Sequence, residues 1–258
     1  MIETDMKPYL SVVIPSFNER SNLERGVIDS VVTYLQKQTY TWEVILSDDG
    51  STDGTTDELS RIASKSKGVQ LVRNVHAGKA PTVAAGMLEA RGEWRLFTDF
   101  DQSTPIQELE TLLPHTEKGY EIVIGSREAK GAVRDKEPLY RHIMGRAFNL
   151  FVQILAVPGI QDTQCGFKLF SATAAEVLFP QLVVYGGSQA RKDAYTGAFD
   201  VELLYLARKC GFNIKEVPIT WIHNTTDRVN PWKDSFRMLR DILRIRWADM
   251  SGQYQVSS

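Results

Sequence analysis

Apolar positions in the first 125 residues switch between two periods. Leu10 to Ile14 (LSVVI) is a short β-branched run ahead of Pro15 and predicts a strand, whereas Leu23, Val27, Val31 and Leu35 recur at helical spacing. Trp42 to Leu46 predicts a second strand, which runs into the polar turn SDDGSTDGT, and Leu59 and Ile62 mark the next helix. Val69 to Val72 is a third strand, followed by a helix through Val83, Met87 and Leu88; Arg95 to Thr98 is a fourth, ending at Asp99. Thr104-Pro105-Ile106-Gln107 reads as an N-cap, a first-turn proline and a capping-box glutamine, opening a helix through Leu109, Leu112 and Leu113. Strand Glu121 to Gly125 completes the run. Strands alternating with helices predict an α/β fold, with a mainly parallel central sheet covered on both faces.

The second half is less regular. Pro138 to Val157 has an amphipathic helical pattern that includes Arg141 and Arg146, and Gln161 to Phe170 (QDTQCGFKLF) is a turn leading into a strand. Gly186 to Gly197 reads as a glycine- and charge-rich loop, Ala198 to Lys209 as a helix. Ile214 to Ile222 is a strand pattern whose Pro218 predicts an edge or a bulge. Trp232 to Trp247 is a basic amphipathic helix, with Lys233, Arg237, Arg240, Arg244 and Arg246 beside Phe236, Leu239, Ile242, Leu243 and Trp247. Such a helix suits an anionic membrane surface, and equally suits packing on the domain with its charges in water. No repeat, low-complexity tract or linker interrupts the 258 residues, which suit one domain.

Composition narrows the function classes. A formal net charge of −2, with 24% charged residues, argues against a bulk nucleic-acid binder. The first residues lack a secretory pattern, and Ala147 to Ile160 is too short and too interrupted by Asn149, Gln153 and Pro158 to span a bilayer. Cys165 and Cys210 make neither a disulfide framework nor a zinc set, and are predicted to be buried thiols in a reducing cytosol.

In parallel α/β sheets, ligands bind beyond the carboxyl ends of the strands. Four polar clusters fall at those ends: Pro15 to Glu19, Asp48 to Asp53, Asp99 to Ser103, and Gly125 to Arg127. Asp99 and Asp101 flank Phe100; on an extended backbone both carboxylates face one ligand while Phe100 turns inward. Two hard oxygen donors suit magnesium or manganese on a diphosphate, although a solvated turn also explains an isolated Asp-x-Asp. Asp48 and Asp49 have two readings as well, a turn or a partner for a base or ribose. No G-x-G-x-x-G follows the first strand, and Gly78-Lys79 lacks the spacing of a P-loop, which disfavours a dehydrogenase and a P-loop NTPase.

SVVIPSFNE, ILSDDGSTDGT, Gly78-Lys79, LFTDFDQSTP and IVIGSR stand in the order seen in family 2 glycosyltransferases. DTQCGFKLF, AFDVELL and SFRMLRDILRIR resemble the polyprenyl-phosphate subgroup, dolichyl-phosphate glucosyltransferases first and dolichyl-phosphate mannose synthases next. The resemblance covers about residues 9 to 248. It implies a GT-A (Rossmann-like) fold in one domain over residues 1–258, with a nucleotide-binding half near 9–125, an acceptor half near 126–230 and a C-terminal amphipathic helix near 231–248. By position it implies Pro15, Phe17 and Glu19 at the nucleotide pocket, with Phe17 in place of the usual tyrosine. Asp49, with Asp48, matches the pair that meets base and ribose. Lys79 matches a Gly-Lys-Gly turn in which Ala80 replaces the second glycine. Asp99 and Asp101 match the motif for Mg2+ or Mn2+, with Phe100 between them and Gln102 after them as departures.

The resemblance further implies inversion at the anomeric carbon by single displacement. An acceptor phosphate is already anionic, so the burden falls on the departing diphosphate, and cations are needed. Arg127, Arg141, Arg228 and Lys233 are the candidates, Arg127 because it follows a strand-ending Gly125-Ser126 and the others toward the acceptor phosphate. Asp200 stands where related chains carry a catalytic acid; it is a general base toward a hydroxyl acceptor, or orients the sugar or a cation toward a phosphate. Asp162 is a catalytic candidate or caps the turn before Gly166. The expected activity moves a hexose, glucose from UDP-glucose, to a polyprenyl or dolichyl phosphate. Mannose from GDP-mannose, a soluble hydroxyl acceptor and a non-catalytic nucleotide-binding scaffold are the alternatives. The expected partners are the nucleotide sugar, the lipid phosphate and, peripherally, the cytosolic face of a membrane, with no nucleic acid and no oligomeric state implied.

Overall fold

Side chains alternate across a strand, so a strand buried on both faces needs apolar residues at successive positions. Strand β1 (Leu10–Ser16) meets that need: Leu10, Val12 and Ile14 join one core cluster and Val13 the other. In the computed structural model, residues 7–134, 152–186, 197–222 and 231–254 are described, the side chains of residues 231–235 excepted. Around β1 lie β2 (Trp42–Asp48), β3 (Val69–Arg73), β4 (Trp94–Thr98), β5 (Ile122–Ser126), β7 (Phe167–Ser171) and β8 (Ile214–Pro218), in the sheet order β3-β2-β1-β4-β7-β5-β8. The short strands β6 (Val133–Arg134) and β9 (Thr220–Trp221) pair separately.

Helices cover both faces as the alternation predicts. One core joins Val13, Ile45 and Phe97 to α4 (Lys79–Glu89), α6 (Ala172–Leu178), α7 (Phe199–Lys209) and α8 (Pro231–Met250). The other joins Leu46, Leu96 and Leu169 to α2 (Val27–Leu35), α3 (Thr55–Lys65) and α5 (Leu109–Thr116). Residues 152–155 are helical, the described end of the Pro138 to Val157 pattern; the Gly186 to Gly197 loop lies outside the described residues apart from its two end glycines.

Two expectations change, and the mainly parallel sheet that was expected has one exception. The first helical pattern divides into α1 (Arg20–Glu24) and α2, because Gly26 takes a left-handed φ of 72°. No capping box forms: Pro105 sits at ψ 142°, outside the helix, and residues Ile106–Glu108 make a 3-10 turn without a side-chain cap. Most consequentially, β7 runs antiparallel to both neighbours, β4 and β5. The other pairings in this sheet are parallel, and β8 lies at its edge, as Pro218 requires. Pro15 is tolerated in the central strand β1 because the pairing with β4 ends at Val13.

Candidate active site

The β1 and β2 tips are stitched together by the Asp48 carboxylate, which is 1% exposed. It accepts hydrogen bonds from the hydroxyls of Ser16 (3.0 Å), Ser51 (2.6 Å) and Thr56 (2.7 Å) and from the Ser51 N–H (3.1 Å). Asp49 is spent in the same way on the loop before α4. Its Oδ1 accepts from the N–H of Ala77 at 2.8 Å, and its Oδ2 from Gly78 N–H at 3.0 Å and lies 2.9 Å from His76 Nδ1. Buried carboxylates need such partners. The pair expected to meet base and ribose also shapes the two loops around it. The aromatic surface at this end is Phe17 stacked on His76, with ring centroids 4.3 Å apart and planes 13° apart. Glu19 opens α1, held by its N–H to Thr55 Oγ1 at 2.9 Å and accepting from Asn22.

The loop that Asp49 holds ends at Lys79, the first residue of α4, whose Nζ lies 2.5 Å from Asp99 Oδ1 and 5.3 Å from the Phe97 ring centroid. The β2 and β4 tips are thus joined through residues 76–79. Burial would lower the Lys79 pKa, but Asp99, Asp200 and Asp101 outweigh it and raise the ammonium above the ordinary lysine value. The nearest of these charges is Asp99, which Lys79 contacts directly.

Asp99 lies beyond the end of β4, and residues 99 to 102 form a turn closed by the Gln102 N–H to the Asp99 carbonyl at 3.3 Å. Strand alternation therefore does not orient this motif, contrary to the sequence expectation. Phe100 nevertheless packs into the core at 4% exposure, and Asp101 Oδ1 accepts from Ser103 N–H at 2.9 Å. Gly166, just before β7, accepts the Asp99 N–H at 3.1 Å, and a Cβ there would lie 2.0 Å from Asp99 Oδ2. A Mg2+ or Mn2+ ion suits this donor set: Asp99 and Asp101 are two carboxylates on one turn, Asp99 already binds an ammonium, and such ions take one or two carboxylates plus phosphate and water.

Beneath Asp99, β7 delivers Lys168, which is fully buried. Its Nζ donates to Asp200 Oδ1 at 2.6 Å and to the Cys165 carbonyl. Burial raises the Asp200 pKa, and Lys168 and Lys79 only partly offset it. Farther along, Arg127 grips Asp162 with Nε at 2.7 Å and Nη2 at 2.8 Å, adds its backbone N–H at 2.9 Å, and stacks over Trp221. The guanidinium of Arg127, the candidate for screening incoming anions, is paired with a buried carboxylate. Asp162 caps the turn before Gly166, as the sequence allowed, by accepting the Gln164 N–H at 3.3 Å, and it holds Arg127 as well.

Burial would raise the Asp162 pKa, but the Arg127 charge and hydrogen bonds prevail and hold it at about 2, against an ordinary 3.8. A depressed carboxylate adds stability above its unfolded value and loses it as pH falls through the folded one. The pair should therefore lose roughly 2 kcal/mol between about pH 4 and pH 2. Denaturant unfolding of the wild type and Asp162→Asn checks this: the gap between them should shrink across that window, and a pH-independent gap would contradict it.

Arg141 and Arg228 lie outside the described residues, as does the Lys233 side chain at the start of α8. The sequence reading missed His76, Gly166 and Lys168. Lys168 was visible as the one charge inside the apolar FKLF strand; His76 and Gly166 carried no local signal. Cys165 is buried and Cys210 partly so, and burial pushes the Cys165 thiol up to about 12.

Known proteins resemble this chain in sequence and fold. Residues 11–179 fit the pattern of glycosyl transferase family 2. The dolichyl-phosphate beta-glucosyltransferase of Dictyostelium discoideum is 33% identical, over 97% of this chain and 77% of its own length. Those of Saccharomyces cerevisiae (30%, 98% of this chain and 78% of the relative) and Homo sapiens (33%, 96% and 78%) are similar. Among solved structures, glucosyl-3-phosphoglycerate synthase from Mycobacterium tuberculosis with UDP superposes at a TM-score of 0.63, with 19% identity over 92% of this chain and 80% of that one. Mannosyltransferase PcManGT from Pyrobaculum calidifontis, with GDP-Man and Mn2+, does so at 0.57, with 20% identity over 98% and 67%. With its sheet, its acidic crevice and these relatives in agreement, the chain belongs to glycosyl transferase family 2.

Proposed function

We propose that this glycosyltransferase moves glucose from UDP-glucose to a dolichyl-type polyprenyl phosphate with inversion at C1. The observation that carries the reading is the link from Asp49 through residues 76–79 to Asp99, which brings the β2 and β4 tips together. The names of the relatives, matched along nearly the whole chain, support the sugar and the acceptor.

In this reading the Phe17 and His76 surface takes the base, and Asp48 and Asp49 keep the surrounding loops rigid. Asp99 and Asp101 hold a Mg2+ or Mn2+ ion, which when bound supplies positive charge to the diphosphate. Lys79, at the N-terminus of α4, adds its own charge beside that helix end. An acceptor phosphate oxygen bonds to C1 as the C1–O bond to the diphosphate breaks, and UDP leaves with the electron pair. No proton has to be removed from an ionised phosphate, so Asp200, buried against Lys168, serves to orient the crevice. The donor belongs to the half near residues 9–125, the acceptor to the half near 126–230.

The acceptor's lipid tail calls for a membrane surface. Helix α8 packs Met238, Ile242, Ile245 and Ala248 into the core and leaves Phe236, Leu243, Trp247 and Met250 exposed. Arg240 and Arg244 on the same helix each pair with Asp241 yet keep more than half of their side-chain exposure, which suits an anionic bilayer beside these apolar residues. No helix among the described residues is long and apolar enough to cross a membrane.

A donor panel of UDP- and GDP-sugars tests the proposal, with polyprenyl phosphate in anionic vesicles and Mg2+ or Mn2+. UDP-glucose should be turned over, and Asp101→Ala should cut that rate about a hundredfold or more with the fold intact. Transfer from GDP-mannose alone would overturn the glucosyl reading, and undiminished turnover in Asp101→Ala the metal site.

A further inference from the structure

The Lys79 ammonium lies 2.5 Å from Asp99 Oδ1, on a carboxylate assigned above to a divalent ion. Two cations cannot share that oxygen without strong repulsion. The Lys79 and Asp99 side chains keep 27% and 36% of their exposure, so either can be displaced without unpacking the core. Lys79 also begins α4, whose N-terminus favours phosphate and gives the ammonium a second anionic position within reach of the same backbone.

We propose that Lys79 guards the cation position on Asp99 in the donor-free enzyme and yields it when a nucleotide diphosphate arrives to take the ammonium. The inference rests on the metal site proposed above and adds an order of events to it. Without nucleotide, a divalent ion has to displace a salt bridge and remain beside the displaced charge. With nucleotide, the diphosphate compensates Lys79 and also offers the ion further oxygen ligands. The device makes cation binding depend on the donor, and keeps the Asp99 carboxylate compensated between turnovers.

The test is Mn2+ binding followed by electron paramagnetic resonance, with and without UDP, in the wild type, Lys79→Met, Lys79→Arg and Asp99→Asn. The wild type should bind Mn2+ weakly alone and at least about tenfold more tightly with UDP. Lys79→Met should bind Mn2+ alone about tenfold more tightly than the wild type, narrowing the dependence on UDP. Lys79→Arg keeps the charge and should keep that dependence, whereas Asp99→Asn should lose Mn2+ in both conditions. Unchanged or weaker binding of Mn2+ alone in Lys79→Met, with Mn2+ and UDP still binding together, would overturn the guard and leave the metal site standing. Absence of Mn2+ binding in the wild type with UDP present would overturn both.

Discussion

Gly166→Ala is expected to lower kcat/KM by about a hundredfold or more, the scale of loss when a reacting group is displaced by about 1 Å. An ideal Cβ at this position lies 2.0 Å from Asp99 Oδ2 and 2.3 Å from its Cγ. That overlap leaves the Asp99 carboxylate no room where it stands, and displacing it breaks the contact with Lys79. Gly166 is not among the residues with positive φ, so alanine meets no backbone strain there. Because the displaced carboxylate is part-exposed and can turn toward water, thermal stability should change little. Steady-state kinetics with a parallel melting curve checks this. Normal turnover would mean that Asp99 does not act from this position, whereas a large drop in Tm would mean that the glycine serves the fold instead.

Lys168→Met should produce the largest loss of stability of any single change at the site. It strips the buried Asp200 of its 2.6 Å partner in a region that is 4% exposed or less. Breaking a buried ion pair from one side costs about 3–5 kcal/mol, which for a chain of this size lowers Tm by roughly 10 °C. Burial already raises the Asp200 pKa, and removing Lys168 pushes it in the same direction, toward the protonated form. Adding Asp200→Asn to Lys168→Met removes the stranded acid and should restore part of the loss. A double variant no more stable than the single one would show that Lys168 matters through its packing against Phe97, 5.9 Å from its Nζ, rather than through its charge.

These two predictions both turn on β7, and β7 marks the boundary of what was legible along the chain. Periods of two and about four residues are local properties, so Leu10 to Ile14 or Val69 to Val72 announce their strands whatever they pack against. Strand direction has no such local mark. FKLF has the same pattern whether it runs up or down, and only its pairing with Phe97 and Ile124 makes it antiparallel. The polar clusters at the strand ends located the crevice for the same local reason, since a turn rich in Asp, Ser and Gly must follow each buried strand.

The roles inside that crevice depended on distances that no spacing encodes. Asp48 and Asp49 are neighbours in sequence, yet one binds Ser16, Ser51 and Thr56, the other residues 76–78. Arg127 and Asp162, 35 residues apart, pair through a buried carboxylate, which no composition argument could reveal. By itself, the sequence determined the α/β alternation, the family and the strand tips at which the acidic residues gather. Tertiary structure alone decided which carboxylate faces which cation, because the Coulomb energy depends on separation through space and on exclusion of water, and only the folded chain sets those two quantities.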